Sequence, residues 1–291
     1  MRDVNLVGSD ILRISVVTPN FNMGAYLPST IGSVLANLGP RDEYFIIDGG
    51  SSDGSVKAIE ACQGQLAGWV SERDSGYAEA ISKGFSRATG DICCWINSGD
   101  LLLAGAFDHV RRHFAETEAT FIFGDDFYID ENDRVLAYSR GWVTDLKMAM
   151  LYGGWTPLQD ACFWRRDLYA AVGGIDVSLK YAADYDLFLR MAMGGAATYV
   201  PFAFSAFRRH AGQKSICGAE NYAAEKEAAR QRQLAKDGRS PLSTAVKSFL
   251  ETNRMRVRAR VAPRLWSRAD LADKPIANLA CAAYWPPENQ I

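Results

Sequence analysis

The stretch Ile14-Ser-Val-Val-Thr-Pro-Asn-Phe-Asn22, followed by Tyr44-Phe-Ile-Ile-Asp-Gly-Gly-Ser-Ser-Asp-Gly54, decides the fold class. Each begins as an apolar run of strand length and ends in a polar, turn-forming cluster. Between them Leu27, Ile31, Val34, Leu35 and Leu38 recur at helical spacing, which predicts a helix within Gly24 to Leu38. The alternation then repeats. A helix is expected over Ser55 to Cys62, a short strand from Trp69-Val70, a helix over Tyr77 to Ala88 ended by Gly90, and a fourth strand at Ile92-Cys-Cys-Trp-Ile96. Strands and helices in this order build an α/β layer, with a mainly parallel, Rossmann-like sheet and helices on both faces.

Further along, Thr120 to Phe123 reads as a strand, and Phe127 to Tyr138 as a hairpin turning at Glu131-Asn-Asp133. Asp160 to Tyr169 mixes a strand with a short helix. Tyr185 to Met193 reads as a helix closed by Gly194-Gly195, and Thr198 to Arg209 as a strand. From Ala219 the chain reads as helical and charged. A boundary is expected near Gly218, between an α/β body over 1–218 and a helical extension over 219–291.

The 291 residues suffice for a large core without staples. Thirty-two basic against thirty-four acidic residues exclude a polycation built for nucleic acid. The six cysteines, Cys62, Cys93, Cys94, Cys162, Cys217 and Cys281, form no C-x-x-C pair, and Cys93-Cys94 lies in an apolar run as buried reduced thiols would. The start lacks a continuous apolar segment, and no run is long enough to span a bilayer, so a cytoplasmic protein is expected.

In doubly wound sheets ligands bind at the carboxyl ends of the strands. Those ends carry Thr18-Pro-Asn-Phe-Asn22, Asp48, Glu72-Arg-Asp-Ser-Gly76 and Asn97-Ser-Gly-Asp100. Any one of these is as easily a turn or a helix cap. Four in order at four strand ends point to one ligand edge. The first turn lacks G-x-G-x-x-G, and the glycine-rich turn after Ile47 lacks the Lys-Ser/Thr of a phosphate loop, so neither nucleotide fingerprint applies. Asp48 suits a base or ribose acceptor.

These clusters, with Lys83-Gly-Phe-Ser-Arg-Ala-Thr-Gly-Asp91, Gln159, Phe163 to Tyr169, Ala183-Asp-Tyr-Asp-Leu-Phe-Leu-Arg190 and Phe207-Arg-Arg-His210, make the chain resemble a family-2 glycosyltransferase of the GT-A fold over about residues 13–215. It is most similar in character to bacterial enzymes that build exopolysaccharide or O-antigen units. The resemblance implies an inverting transfer from a nucleotide sugar, most often a UDP-sugar, to a hydroxyl on a carbohydrate or lipid-linked acceptor. It implies a divalent cation, Mn²⁺ or Mg²⁺, at the diphosphate. By the same resemblance Pro19 and Phe21 line the nucleobase pocket with Asp48 as base acceptor and Asp74 nearby. Asn97 and Ser98 meet ribose or phosphate, Asp100 and His210 hold the metal, and Asp184 is the catalytic base. Trp155 and Gln159 fall on the acceptor side. The family's Asp-x-Asp-Asp metal motif is reduced here to Asn97-Ser-Gly-Asp100, and Ala183 stands where a Glu precedes the base. A non-catalytic nucleotide-sugar binding module and a nucleotidyltransferase therefore stay open as alternatives.

Other features read more plainly. Asp186 suits a cap or an ion pair. His109 and His113 have a zinc-compatible spacing but no third ligand, and are expected on the surface. From Lys247 to Arg268, Lys247, Arg254, Arg256, Arg258, Arg260, Arg264 and Arg268 stand against Glu251 alone, interleaved with Phe249, Leu250, Leu265 and Trp266. That basic amphipathic pattern fits either peripheral contact with an anionic membrane or a helix packed on the body.

Overall fold

A computed structural model describes residues 12–143, 145–210, 213, 218–236, 238, 246–254, 265–266 and 274–276. Cys217, Cys281 and Arg256, Arg258, Arg260, Arg264 and Arg268 lie outside these. The elements in chain order are β1 (Ile14–Asn20), α1 (Leu27–Leu35), β2 (Glu43–Asp48), α2 (Ser55–Cys62), β3 (Gly68–Ser71), α3 (Tyr77–Phe85), β4 (Ile92–Trp95), β5 (Leu101–Leu102) and α4 (Ala106–Glu116). They continue with β6 (Phe121–Ile129), β7 (Val135–Ser139), α5 (Leu146–Gly153), β8 (Cys162–Arg165), α6 (Arg166–Ala171), α7 (Ala183–Gly194), β9 (Ala197–Arg208), α8 (Ala219–Lys236), a helix α9 over 246–254, and β10 (Leu265–Trp266).

The sheet runs β10-β7-β6-β8-β4-β1-β2-β3, with β9 paired to β6 and β5. Strands β3, β2, β1 and β4 are parallel to one another, as the alternation predicts. Past β4 the sheet becomes mixed: β8 runs antiparallel to β4 and β6, β7 is antiparallel to β6, and β9 is parallel to β6. The residues of β1 are all buried, because a central parallel strand is covered on both faces. Successive residues point to opposite faces. Val17, Phe45, Ile47, Cys93 and Trp95 accordingly enter one core with α3, α5, α7 and α8. Val16, Tyr44, Ile46, Ile92 and Cys94 enter the other with α1, α2 and α4. The close seat of α3 on β1 depends on Gly84, where a Cβ would lie 2.4 Å from Val17 Cγ1.

Three expectations change. The break expected between Phe123 and Phe127 is absent: β6 is one strand, and its Asp125 and Asp126 are buried within it. Asp125 accepts hydrogen bonds from Gly141 N and Tyr199 OH, both at 2.8 Å, and from Tyr138 OH. Ser205 Oγ donates to Asp126 at 3.0 Å. Asp125 thus sits in a strand because distant groups satisfy it, while Asp126 keeps one buried oxygen without a partner. The histidines of α4 are half-buried rather than on the surface. His109 stacks on Phe202 at 3.8 Å between ring centroids, and burial lowers the pKa of both His109 and His113. Lastly, Leu265 and Trp266 are not helical: they pair antiparallel with Ser139 and Tyr138 at the sheet edge. The C-terminal residues share the body's core through Ala229, Leu234 and Ile276.

Candidate active site

The carboxyl ends of β1, β3 and β4 open onto a cavity of about 680 Å³. Its wall includes Pro19, Phe21, Asp74, Asn97, Ser98, Asp100, Asp184, His210 and Gln159, so of the site residues expected from the sequence all but Asp48 and Trp155 meet in one place. Trp95, Tyr77, Tyr181, Arg208 and Tyr222 complete much of the rest.

Asp48 corrects the expected base acceptor. It is fully buried and does not reach the cavity wall. Its carboxylate accepts from Asn20 Nδ2 at 2.6 Å, Ser51 Oγ at 2.5 Å, Ser51 N at 2.9 Å and Ser71 Oγ at 2.6 Å. Burial would raise its pKa, but these hydrogen bonds hold it below the usual carboxylate range. Asp48 therefore ties β1, β2 and β3 together at their ligand edge. The carboxylate that does line the cavity there is Asp74, lying 3.0 Å from where a Gly49 Cβ would be and accepting from Gly76 N at 2.9 Å.

The strand-four end is held from several sides. Ser98 Oγ donates to Pro19 O at 3.1 Å, and Asn97 Nδ2 donates to Gln159 Oε1 at 2.6 Å. Gln159 Nε2 in turn donates to Trp95 O at 2.7 Å. Gly99 turns the chain with φ +114°, a conformation that suits glycine. Asp100 is 4% exposed and accepts from Arg208 N at 3.0 Å. It does not cap α4, whose N-cap is Gly105. His210 packs against Tyr26 at 5.6 Å, and burial lowers its pKa. Trp155, expected on the acceptor side, packs instead against Phe123 in the core.

Asp100, Asp126 and Asp160 are all buried. Burial, and the charges they present to one another, push Asp100 and Asp126 well above the usual range; burial pushes Asp160 up to about 7. Neither Asp160 oxygen has a hydrogen-bond partner. Among the described residues no group of three or more His, Cys, Asp or Glu is arranged to hold a metal. Asp100 and His210, the two ligands expected from the sequence, both line the cavity. Mg²⁺-type ions bound through one or two protein groups complete their shell with substrate phosphates and water, and buried carboxylate charge crowding Asp100 favours a cation, so the donor set fits one on those terms.

Asp184, also on the cavity wall, is the second residue of α7. Its Oδ1 is buried without a hydrogen-bond partner, and burial raises its pKa to about 6. Asp186 faces away, paired with Arg190 at 2.6 Å and Arg232 at 3.1 Å. The sequence reading missed Tyr77, Tyr181 and Tyr222 beside Asp184. Tyr222 stands on α8, past the expected boundary, with no motif around it.

A family model described as glycosyl transferase family 2 matches residues 15–172, more than half of the chain. An uncharacterized glycosyltransferase of Mycobacterium tuberculosis is 32% identical over 186 residues, covering 62% of this chain and 69% of that protein. A PGL/p-HBAD biosynthesis glycosyltransferase of the same species is 24% identical over 181 residues, covering 60% of this chain and 68% of its own. Among solved structures, S. aureus TarS 1-349 in complex with UDP superposes with TM-score 0.62 at 15% identity, covering 89% of this chain and 74% of that one. The mannosyltransferase PcManGT from Pyrobaculum calidifontis, in complex with GDP-Man and Mn²⁺, gives TM-score 0.59 at 17% identity, covering 86% and 76%. These likenesses agree with the GT-A fold expected from the sequence.

Proposed function

The chain belongs to glycosyl transferase family 2 and is a glycosyltransferase, and from that premise we propose that it moves a sugar with inversion from a UDP-sugar to an acceptor hydroxyl in bacterial polysaccharide or glycolipid synthesis. Family membership sets aside the non-catalytic module and the nucleotidyltransferase. The observation that carries the reading is Asp184, a carboxylate on the cavity wall with an unpartnered buried oxygen. In the proposed step Asp184 takes the acceptor proton as the acceptor oxygen bonds to the anomeric carbon. The bond from that carbon to the diphosphate oxygen breaks on the far side, and UDP leaves. A base with pKa about 6 is ionised at neutral pH yet more basic than an ordinary Asp.

Pro19, Phe21 and Asp74 are the proposed nucleobase wall, with Asp74 in the role expected of Asp48. Asn97 and Ser98 are proposed to meet ribose and phosphate. Asp100 and His210 would hold Mn²⁺ or Mg²⁺, which when bound offsets the charge that develops on the leaving diphosphate. Support for a UDP donor comes from the TarS complex, while the GDP-Man complex of PcManGT supports its rival.

A thermal-shift series with UDP, GDP, ADP and CDP tests the donor. UDP should raise the melting temperature most, since a ligand at 100 times its Kd adds about 2.7 kcal/mol to the native state. Asp74→Ala should weaken the UDP shift, and Asp100→Ala should abolish any gain from added Mn²⁺. A larger shift with GDP would replace the donor class. No shift with any nucleoside diphosphate would remove the donor site.

For the acceptor we propose a lipid-linked molecule met at the cytoplasmic face of an anionic membrane. On α9, Val246, Phe249 and Leu250 are 50%, 68% and 60% exposed, while Glu251 is buried and Lys247 Nζ lies over the Tyr152 ring at 5.5 Å. The apolar side of this helix thus faces out, and the arginine-rich run follows it in the sequence. No helix among the described residues is long and apolar enough to cross a membrane. Co-sedimentation with anionic vesicles is expected, weakening as salt rises and lost in Phe249→Ser/Leu250→Ser. Equal binding to neutral vesicles, or none, would refute it.

A further inference from the structure

The helix α8 lies outside the family-matched residues, yet it reaches the backbone that carries Asp184. Glu225 accepts hydrogen bonds from Lys180 N at 3.0 Å, Tyr181 N at 2.9 Å and Ala182 N at 2.9 Å. These amides lead into α7, whose N-cap residue, Ala182, offers no side-chain cap. The first amides of a helix have no intrahelical partner, and a negative charge near them is favourable. Glu225 supplies both the acceptor and the charge from another helix. The next amide, Ala183 N, donates to Tyr77 OH at 3.0 Å, and Tyr77 OH donates to Tyr181 O at 3.0 Å. The four amides immediately before Asp184 are thus all held by side chains from α8 and α3.

The platform that presents Glu225 is itself anchored. Arg230 Nη1 donates to Leu151 O at 3.2 Å, Arg232 pairs with Asp186 at 3.1 Å, and Ala229 and Leu234 are buried. Lys226 Nζ lies 4.9 Å over the Tyr185 ring, beside Asp184 in sequence. Burial would raise the pKa of Glu225, but its three backbone hydrogen bonds bring it below the usual value, so it stays charged near neutral pH.

We propose that Glu225 is a positioning residue for the transfer reaction: by gripping the backbone of residues 180–182 it fixes the start of α7 and so aims the Asp184 carboxylate at the acceptor. This rests on the reading of Asp184 as the base. The groups that bear on Asp184 are Tyr77 on α3, Cys162 on β8, and Glu225 and Lys226 on α8. Glu225 repels the Asp184 charge while Lys226 attracts it. Removing the Glu225 charge alone should therefore make Asp184 easier to ionise.

The test uses the full chain with Glu225→Ala, Glu225→Gln and Asp184→Asn, following UDP binding, UDP release from UDP-sugars, amide hydrogen exchange, and the Asp184 carboxyl titration by NMR. In Glu225→Ala, exchange at Lys180, Tyr181 and Ala182 should rise at least tenfold and kcat should fall at least tenfold, with UDP affinity within about twofold of wild type. In Glu225→Gln, Asp184 should titrate at lower pH than in wild type because the repelling charge is gone, while a lowered kcat at unchanged UDP affinity is the split that a merely structural role would not produce. Should Glu225→Ala fail to bind UDP or to fold, the near-isosteric Glu225→Gln decides alone through its kcat. Unchanged kcat in a folded, UDP-binding Glu225 variant, whatever its titration, overturns the proposal while leaving Asp184 as base, provided Asp184→Asn is inactive. An active Asp184→Asn overturns the base assignment and this proposal together.

Discussion

Asp184→Asn should lower turnover by about 10²-fold or more, the usual loss when a general base is removed, and leave UDP affinity near wild type. The amide keeps the shape of the side chain but cannot take the acceptor proton. The same assignment predicts the pH profile. Asp184 is raised from the ordinary Asp value to about 6 by burial, and the base works only when ionised. Turnover should thus be level above about pH 6 and fall tenfold per unit below it. Diphosphate release over pH 4.5–8 checks both points. An acidic limb near pH 4 would mean that Asp184 is solvated rather than buried, and wild-type rates in Asp184→Asn would remove it from the mechanism. Asp186 is no substitute, because Arg190 and Arg232 already hold its two oxygens.

Arg208→Met is the change expected to cost most stability. Arg208 is 1% exposed. Its Nε donates to Gly99 O and its Nη1 to Asp130 O, both at 2.8 Å, while Nη2 pairs with Asp133. The guanidinium also lies 4.9 Å over the Tyr26 ring. One side chain therefore joins the loop carrying Asp100 to the turn after β6. Methionine fills similar space but strands two carbonyls, at about 1–3 kcal/mol for each group left unsatisfied. A loss of about 3 kcal/mol is expected, seen in urea unfolding as a lower midpoint at unchanged slope. Lysine should not rescue it, since one ammonium cannot reproduce the fork of a guanidinium. A loss under 1 kcal/mol would show that water replaces these contacts.

Periodicity alone determined the parallel half of the sheet. The apolar runs of β1, β2 and β4 and the helical spacing between them are local patterns, and both cores follow from which face each residue takes. The ligand edge was equally legible, because polar residues such as Asn97 and Asp74 stand where apolar strands end. Only the tertiary structure decided what those polar residues do. Asp48 and Asp74 look alike in the chain, both carboxylates one or two residues before a glycine and near strand ends. One is saturated by Asn20 and Ser71 from neighbouring strands, and the other lines the cavity. Asp125 and Asp126 fall between two expected strands and form the middle of one, because Tyr138, Tyr199 and Ser205 arrive to take the place of water beside them. Tyr222 and Glu225 carried no signal at all: their place beside Asp184 exists only once α8 packs on α7. Local spacing specifies which face of an element is apolar, whereas the partner of a buried polar group comes from far along the chain and is set by how the elements pack.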